Sequence, residues 1–249
     1  MTDRRYWNPR HETATRERIE ALQVRKLRNL IAWMDAKVPY QRERLRKAGI
    51  TPESIRSLDD LRRIPVFTRE DWMRGQVADP PYGPILAADP QLAMRYHLTS
   101  GTTGSSPIRV LDSMKDWEWI AECWCYAFWG FGVRPADRVF FAFSYGSFVG
   151  FWGAHYACEK MGCLVLPGGN MTTEARVRQI FDMQATVVCS TPTYALRMAQ
   201  EAAALGLDLP NGPVRRVILS GEPAGSIPAT SSKVVRVRVF SYFFAGLRM

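Results

Sequence analysis

Residues 137–143 read DRVFFAF and residues 185–189 read ATVVC, two short runs of β-branched and aromatic side chains that predict buried strands. The predicted segments alternate in the order strand 137–143, helix 147–161, strand 164–166, helix from 173, strand 185–189, helix 193–205 and strand 214–219. Because strands that alternate with helices form parallel sheets, the fold class predicted is α/β, with a largely parallel sheet flanked by helices.

The turns that follow the predicted strands are candidates for a ligand site. In such sheets ligands collect at the carboxyl ends of the strands. The turns concerned lie at 99–106, 144–150, 167–170, 190–192 and 220–223. We expect them to form the rim of one site.

The chain before residue 77 has a different pattern, with helical periodicity and no strand signal. Residues 12–36 repeat apolar side chains at three- and four-residue steps, and Thr13 or Thr15 is placed to cap this helix. Thr68 is predicted to cap a further helix, with acidic residues in its first turn. The predicted organisation is a helical segment at 1–76, a partial α/β domain at 77–230 and a tail at 231–249.

The tail reads SSKVVRVRVFSYFFAGLRM, with no acidic residue and no coherent helical face. The alternation VVRVRVF fits an edge strand, but no partner is evident for it. Our interpretation is that the reading frame is lost near residue 230. The alternative is a genuine short strand.

Charge and cysteine content narrow the class of protein. The net charge is +9, but residues 1–75 carry 18 basic against 11 acidic side chains, and residues 76–230 carry 11 against 13. A basic end could bind nucleic acid or an anionic membrane, but interleaved charges are more typical of a solvated helical face, so neither partner is expected. The five cysteines show no metal-ligand spacing, which indicates buried thiols in a reducing cytoplasm and no metal site.

Residues 139–158 contain no Asp, Glu, Lys or Arg and are long enough to cross a membrane. Their glycines, serines and histidine favour instead a strand, a turn and a helix within an α/β core. The N-terminus lacks the apolar region of a signal peptide, so we expect a cytoplasmic protein.

The strongest motif lies at residues 98–107, which read LTSGTTGSSP. Glycines allow backbone N–H groups to approach an anion, and the hydroxyls add donors for phosphate oxygens. The motif differs from the Walker phosphate loop, because no Lys followed by Ser or Thr ends it. A plain surface loop is the alternative reading.

The run TSGTTG followed by Pro resembles the phosphate-binding loop of adenylate-forming enzymes. Within that superfamily the chain resembles phenylacetate–CoA ligases over residues 5–229. The segments that carry the resemblance are, in order, 6–9 (YWNP), 38–41 (VPYQ), 55–61 (IRSLDDL), 64–65 (IP), 145–150 (YGSFVG), 155–156 (HY), 168–169 (GG), 189–196 (CSTPTYAL) and 221–223 (GEP). The resemblance therefore implies part of the large N-terminal domain of an adenylate-forming enzyme.

The reaction implied by the resemblance joins an aromatic acid such as phenylacetate to coenzyme A in two steps. The acid attacks ATP to give an acyl-adenylate and pyrophosphate, and the thiol of coenzyme A then displaces AMP, with Mg²⁺ neutralising the phosphates. The residues carried over for the ATP phosphates are Thr99, Ser100, Gly101, Thr102, Thr103 and Gly104. Those carried over for the adenine and acyl-adenylate are Ser220, Gly221, Glu222 and Pro223, and those for the acid pocket are Tyr145, Gly146 and Phe148.

Each of these assignments has a structural alternative. Tyr145 and Phe148 could be core aromatics. Glu222 could be an ordinary turn residue. His155 lies in an apolar helix and is expected to be a satisfied core histidine rather than a base.

The sequence also departs from the family pattern. Ser105-Ser106 stands where the family often has Lys, so one cationic phosphate contact is missing. The Tyr-Gly-x-Thr-Glu segment with its Mg²⁺-side Glu, the ribose-binding Asp and the catalytic Lys do not occur after residue 230. No catalytic residue is therefore assigned, and little or no ligase turnover is expected from these 249 residues.

Three function classes follow from these observations: an aryl-acid–CoA ligase, a non-catalytic nucleotide- or acid-binding module, and a basic interaction protein. The ordered series of family-like segments favours the first. Phenylacetate, hydroxylated phenylacetate, indoleacetate and benzoate-like acids all fit an aromatic pocket, and the sequence leaves a homodimer open.

Overall fold

The structure is a computed structural model that describes residues 4–86, 89–99, 107–221 and 238–241. The chain divides into two compact units. The first holds residues 1–119 and 147–149, and the second holds residues 120–146 and 150–249. The predicted boundary at residue 76 does not coincide with this division, because the first unit extends to residue 119.

The first unit begins with helices. They are α1 (Pro9–Glu12), α2 (Arg16–Lys37), α3 (Pro39–Lys47) and α4 (Arg69–Ala78), with short 3₁₀ segments at Pro52–Ser54, Leu58–Arg63 and Pro90–Leu92. The α2 helix starts after Thr15, whose side chain accepts from the backbone N–H of Arg18. Pro39 is the first residue of α3, so the chain turns at Val38, where α2 ends.

A small apolar core holds these helices together. Its fully buried members are Ile31, Leu45, Ile50 and Ile55. The α2 face packs on α3 and on the 3₁₀ segments that follow. Of the apolar residues spaced along α2, Ile31 is buried and Leu27 and Met34 pack partly buried on this core, but Leu30 is exposed.

The first unit also contains a two-stranded antiparallel sheet, formed by β1 (Ala93–Leu98) and β2 (Arg109–Ser113). Neither strand belongs to the parallel sheet predicted from the sequence. The turn at 99–106 therefore joins the strands of a hairpin and does not follow a strand of the parallel sheet. Whether it shares one rim with the four turns of the parallel sheet stays a prediction.

The second unit is built on a parallel sheet. Its strands are β3 (Arg138–Phe141), β4 (Leu164–Pro167), β5 (Val187–Ser190), β6 (Arg216–Leu219) and β7 (Arg238–Ser241), in the spatial order β4-β3-β5-β6-β7. Every neighbouring pair is parallel. The helices of this unit are α6 (Trp152–Met161), α7 (Thr173–Asp182) and α8 (Pro192–Ala204), and α5 (Met114–Gly130) contains the boundary between the units. The α/β fold class is confirmed.

Alternate strand residues face opposite layers of helices. Phe140 and Val188 belong to the apolar core that also contains Val177 of α7 and Met198 of α8. Phe141, one residue further along β3, has its ring near that of Phe151, at the start of α6. The helices α7 and α8 therefore cover one face of the sheet, and α6 covers the other.

Two further predictions need correction. The helix predicted at 147–161 begins only at Trp152, because residues 147–149 run beside β1 and Leu98 forms a parallel bridge with Phe148. The expectation that the alternating tail has no partner is also wrong, because residues 238–241 pair in parallel with β6. The remaining tail residues lie outside the described ranges.

Candidate functional site

In the first unit, Thr99 and Ile108 close the base of the Gly/Ser/Thr loop. The Thr99 N–H donates to the Ile108 carbonyl at 3.0 Å, and the Ile108 N–H donates to the Thr99 hydroxyl oxygen at 3.1 Å. Ser100, Gly101, Thr102, Thr103 and Gly104 lie outside the described residues. Of the predicted phosphate-binding residues, only Thr99 can be placed, and it anchors the loop to the hairpin.

The α4 helix contacts this base with two side chains. Arg69 Nη1 donates to the Thr99 hydroxyl oxygen at 3.1 Å. Buried Gln76 binds the backbone of Arg109 in β2 at both ends of its amide, at 2.7 and 3.2 Å. The sequence predicted the Thr68 cap of α4 but not Arg69 at the loop, because a contact across 30 residues leaves no local signal.

A buried hydrogen bond between two side chains braces the hairpin below the loop. His97 Nδ1 lies 2.5 Å from Asp112 Oδ2 across the two strands. The His97 ring stacks on Trp117 at a centroid distance of 5.0 Å, and the Arg95 guanidinium lies 4.6 Å from the same indole. The two strands therefore hold the ends of the loop in a fixed register.

In the second unit, the strand order creates a crevice at the carboxyl edge of the sheet. The chain leaves β3 for β4 on one side and returns to β5 on the other side. Ligands of open α/β sheets bind where the strand order reverses in this way. The segments that leave this edge are the turns after β3, β4, β5 and β6, and they include most of the residues predicted for the acid and adenine sites.

The turn after β4 comes very close to β3. The Gly168 N–H donates to the Phe141 carbonyl at 2.9 Å, and a Cβ on Gly168 would lie only 2.6 Å from the Phe140 ring. Arg176, itself 7% exposed, donates from Nε to the Gly168 carbonyl at 2.7 Å. The Arg176 guanidinium lies 5.1 Å from the ring centroid of Tyr194 in α8. This contact links the turn after β4 to the opposite side of the crevice.

An aromatic cluster fills the turn after β3. Phe143 stacks on Phe151 at a centroid distance of 4.4 Å, and Tyr145 lies 5.4 Å from Phe143 and 4.5 Å from Trp152. The Trp152 indole N–H donates to the Gly146 carbonyl at 2.9 Å. Tyr145 and Gly146 therefore lie after the carboxyl end of β3, in contact with these aromatic rings.

The Tyr145 hydroxyl is a polar group at one end of this aromatic cluster. Its hydroxyl lies 2.9 Å from His155 Nδ1, and His155 Nε2 lies 3.2 Å from Glu159 Oε1. Burial raises the pKa of the Tyr145 phenol, so the hydroxyl keeps its proton. Both nitrogens of His155 have partners, as a satisfied histidine requires.

Phe148 is placed differently from Tyr145. It belongs to the first unit, where it bridges Leu98, and it is 55% exposed. The alternative that Phe148 is a core aromatic is therefore wrong. Its bridge places it one residue from Thr99, at the start of the Gly/Ser/Thr loop.

The ends of β5 and β6 meet at the other side of the crevice. The Ser220 N–H donates to the Ser190 carbonyl at 3.1 Å, and Gly221 adopts φ +94°. The Ser190 hydroxyl is fully buried and has no hydrogen-bond partner among the described residues. Glu222 and Pro223 lie outside the described residues.

No helix within the described ranges is long and apolar enough to cross a membrane. In the same part of the chain, no three His, Cys, Asp or Glu side chains come together as ligands for a metal ion.

Comparison with known proteins gives these features a context. No family model matches the chain. It is 34% identical to a phenylacetate–coenzyme A ligase of Thermus thermophilus over 217 residues, which are 87% of this chain and 47% of the ligase. It is 31% identical to the phenylacetate–coenzyme A ligase of Escherichia coli over 213 residues, again 47% of the ligase. The chain spans about half the length of the curated relatives that it matches.

Solved structures give the same result. An open conformation of 2-hydroxyisobutyryl-CoA ligase in complex with 2-HIB-AMP and CoA matches with a TM-score of 0.88 and 27% identity, covering 97% of this chain and 57% of that chain. The thioesterification state of that ligase matches with a TM-score of 0.86 and 29% identity, covering 94% of this chain and 50% of that chain. The chain therefore has the fold of the corresponding part of this CoA ligase.

The sequence narrows this class further. Over the matched residues, the chain is a homologue of the phenylacetate–coenzyme A ligases.

Proposed function

We propose that this chain carries the acid- and ATP-binding part of an AMP-forming ligase that joins an aryl or arylacetic acid to coenzyme A. The proposal is supported by the placement of the Tyr145 cluster at the switch point of the parallel sheet. The fold around this point matches that of a ligase solved with an acyl-adenylate and CoA. Flat aromatic walls with one polar end suit an aromatic acid better than a flexible fatty chain.

The proposed chemistry has two steps. A carboxylate oxygen of the acid attacks the α-phosphorus of ATP, and the bond to pyrophosphate breaks. The sulfur of coenzyme A then attacks the acyl carbon, and AMP leaves with the electron pair of the broken bond. Mg²⁺ enters with ATP, and the described residues offer it no carboxylate cluster, so no step is assigned through the metal.

The residues of this chain would act by positioning. We propose that the loop anchored at Thr99 holds the β- and γ-phosphates, and that Arg69, at its base, supplies positive charge that Ser105-Ser106 does not. Tyr145, Gly146 and Phe148 would contact the acid, and Ser220-Gly221-Glu222-Pro223 would contact the adenine and acyl group. The Ser190 hydroxyl adds an unused donor at this edge.

For the 249 residues alone we propose binding with little turnover, because the printed sequence contains no Tyr-Gly-x-Thr-Glu segment. A non-catalytic binding module is the second candidate, and it predicts binding with no turnover at all. All five cysteines are free thiols, which favours a reducing compartment such as the cytoplasm.

The test measures binding and chemistry separately. Thermal unfolding is followed with ATP–Mg²⁺, with phenylacetate, indoleacetate and benzoate, and with hexanoate as the straight-chain control. A ligand at 100 times its Kd stabilises the native state by about 2.7 kcal/mol, which in a chain of this size raises Tm by about 5–10 °C. Pyrophosphate release is measured in the same mixtures.

Stabilisation by ATP–Mg²⁺ and by aromatic acids, but not by hexanoate, is the expected result. Pyrophosphate release that requires the acid would assign ligase chemistry to the chain itself. Stabilisation without release would favour the binding module. If neither ATP nor any acid raises Tm, the proposal is wrong.

A further inference from the structure

Three side chains of the second unit form a hydrogen-bonded series that leads from the crevice to solvent. Tyr145 Oη lies 2.9 Å from His155 Nδ1, and His155 Nε2 lies 3.2 Å from Glu159 Oε1. The His155 side chain is 15% exposed and that of Glu159 is 52% exposed. Within the described residues, the His155 ring makes no other hydrogen bond.

The bond to Glu159 determines where the proton of a neutral His155 lies. A carboxylate accepts hydrogen bonds and donates none, so Nε2 must carry the proton that it shares with Glu159. Nδ1 of the neutral ring is then an acceptor. The hydroxyl of Tyr145 must therefore donate its only proton to His155, and its oxygen offers just lone pairs to anything else.

This state is unsuited to a carboxylate ligand, because two acceptors face each other. When His155 gains a second proton, both ring nitrogens donate: Nε2 to Glu159 and Nδ1 to the Tyr145 oxygen. The phenolic proton of Tyr145 then no longer hydrogen-bonds to His155 Nδ1. It can be donated in a hydrogen bond to a ligand. The added proton comes from solvent, and no bond other than these hydrogen bonds changes.

We infer that Tyr145, His155 and Glu159 form a proton-coupled switch, in which protonation of His155 turns the Tyr145 hydroxyl from an acceptor into a donor for the carboxylate of the bound acid. His155 is thus a positioning residue that acts through Tyr145. The inference rests on the proposed function, since it assumes that the crevice binds an acid.

One charged side chain contacts His155 in the described part of the chain. It is Glu159, which pairs with no Lys or Arg among the described residues. The other titratable groups near Tyr145 and His155 are Tyr156 and Cys158 on α6 and Cys189 on β5. Burial raises the pKa of the Cys158 and Cys189 thiols, and also that of the Tyr145 phenol, so these groups remain neutral.

The remaining neighbours of His155 are aromatic rings. Phe141 of β3 and Trp152 of α6 have ring centroids 5.7 and 6.1 Å from that of the imidazole. Neither carries a charge or a group that titrates. The negative charge of Glu159 is therefore the local charge that acts on the ring.

The first arm of the experiment needs no ligand. Nitrogen-15 NMR of the histidine rings is recorded on the full chain as a function of pH; the chain has only three histidines, and His155→Phe assigns the signals. The expected neutral form is the Nε2–H tautomer, and Glu159→Gln, whose amide can donate as well as accept, should allow a mixture of tautomers. A neutral His155 that carries its proton on Nδ1 would overturn the switch.

The second arm measures protons taken up on binding. Phenylacetate is titrated calorimetrically into the full chain in two buffers of different ionisation enthalpy, at a pH where NMR shows His155 neutral. About one proton should be taken up per acid bound, so affinity should fall about tenfold for each unit of rising pH. In His155→Phe the Tyr145 hydroxyl no longer donates to a histidine, so proton uptake and the pH dependence should both disappear.

Two phenol variants complete the test. Tyr145→Phe removes the donor and should weaken acid binding at the pH values where His155 is protonated, with no proton uptake. Tyr156→Phe removes a hydroxyl from α6, the helix that contains His155, and leaves both His155 hydrogen bonds in place. This variant should bind acid with the same proton uptake as the unaltered chain. A merely structural role of His155 would change Tm in these variants but not the number of protons.

The failures are distinguishable. Acid binding with equal heat in both buffers overturns the switch and leaves the proposed function standing. Absence of acid binding overturns the proposed function, and with it the coupling to the acid, whatever tautomer NMR shows.

Discussion

Gly168 is the residue at which the turn after β4 touches β3. A Cβ at this position would lie 2.6 Å from the Phe140 ring and 2.7 Å from the Phe141 carbonyl oxygen, and the backbone oxygen cannot move aside without breaking the strand. Gly168→Ala should therefore destabilise the chain by about 1–3 kcal/mol, the usual result of overpacking. Chemical denaturation followed by tryptophan fluorescence measures the effect.

The matched control for this substitution is Gly130→Ala. Gly130 is the last residue of α5, and a Cβ there would meet no atom within 4 Å. Its denaturation midpoint should stay the same or rise slightly, because alanine favours helix more than glycine does. Equal loss of stability in the two variants would show that the contact at Gly168 is not the cause.

Arg69 is the residue whose importance the sequence did not reveal. Its guanidinium reaches Thr99 at the base of the loop. If the loop binds phosphates, Arg69→Ala should weaken ATP–Mg²⁺ binding by about tenfold or more, since a charge-assisted hydrogen bond contributes about 1.5–3 kcal/mol. Arg69→Lys, which keeps the charge but not the planar fork, should lose less.

Arg74 provides the control for Arg69. It lies on the same helix, is highly exposed and pairs only with Asp71 one turn away among the described residues. Arg74→Ala changes the net charge as Arg69→Ala does but does not touch the loop. Equal weakening of ATP binding in both variants would attribute the effect to net charge and remove Arg69 from the site.

At the scale of elements, the segment Leu58–Arg63 depends on a single carboxylate. Asp60 accepts from the backbone N–H groups of Arg56 at 2.8 Å and Ser57 at 3.0 Å, and these bonds lower its pKa from 3.8 to about 2. A carboxyl with a depressed folded-state pKa stabilises the fold above its unfolded pKa, and that contribution is lost as pH falls through the folded value. Stability should therefore decline between pH 3.8 and about 2.

Asp60→Asn should remove this part of the pH dependence, because the amide does not titrate. The measurement is the urea midpoint at a series of acid pH values. Asp59→Asn is the control, since Asp59 is exposed and has no hydrogen bond in the described part of the chain. A decline of equal slope in the Asp60 and Asp59 variants would contradict the assignment to Asp60.

Local signals in the sequence predicted the elements well where the cause is local. The Thr68 cap holds because its hydroxyl accepts from the Asp71 N–H, and the Asp71 carboxylate accepts in return from the Thr68 N–H. The break at Pro39 follows from the proline ring. Errors occur where a distant segment decides: Ser147 accepts from the Leu98 N–H, so residues that fit a helix run beside a strand instead.

The candidate site was predictable to a similar degree. The sequence placed Tyr145, Gly146 and Ser220 at the ends of strands, and the sheet order brings these ends to one edge. It did not place Phe148 in the first unit, nor did it reveal the His155 bond to Tyr145. The first depends on a bridge to β1, and the second depends on how α6 packs against the turn after β3. Whether these residues bind an acid and a nucleotide stays a prediction.

At the scale of the molecule, the tail matters to the sheet. β7 pairs with four residues of β6, of which Ile218 and Leu219 are buried. A chain shortened to residue 230 would leave the N–H and C=O groups of β6 unpaired on that side, and unprotected edge strands associate with other chains. It should show a lower Tm and concentration-dependent aggregation by light scattering.

A chain shortened to residue 241 keeps β7 and is the control. It should behave as the full chain does. If the chain ending at 230 is as stable and as monodisperse as the chain ending at 241, the pairing of β7 contributes nothing to the fold. The interpretation that the tail has no structural partner would then be restored.

The order of the strands also fixes how the sheet can grow while the chain is being synthesised. β3 lies inside the sheet and leaves the ribosome first, and β4 and β5 then join it on either side. β6 extends one side only, and 18 residues separate its last residue from residues 238–241. During synthesis the sheet therefore spreads outward from its middle, and the edge of β6 stays open until the nascent chain has emerged beyond residue 241.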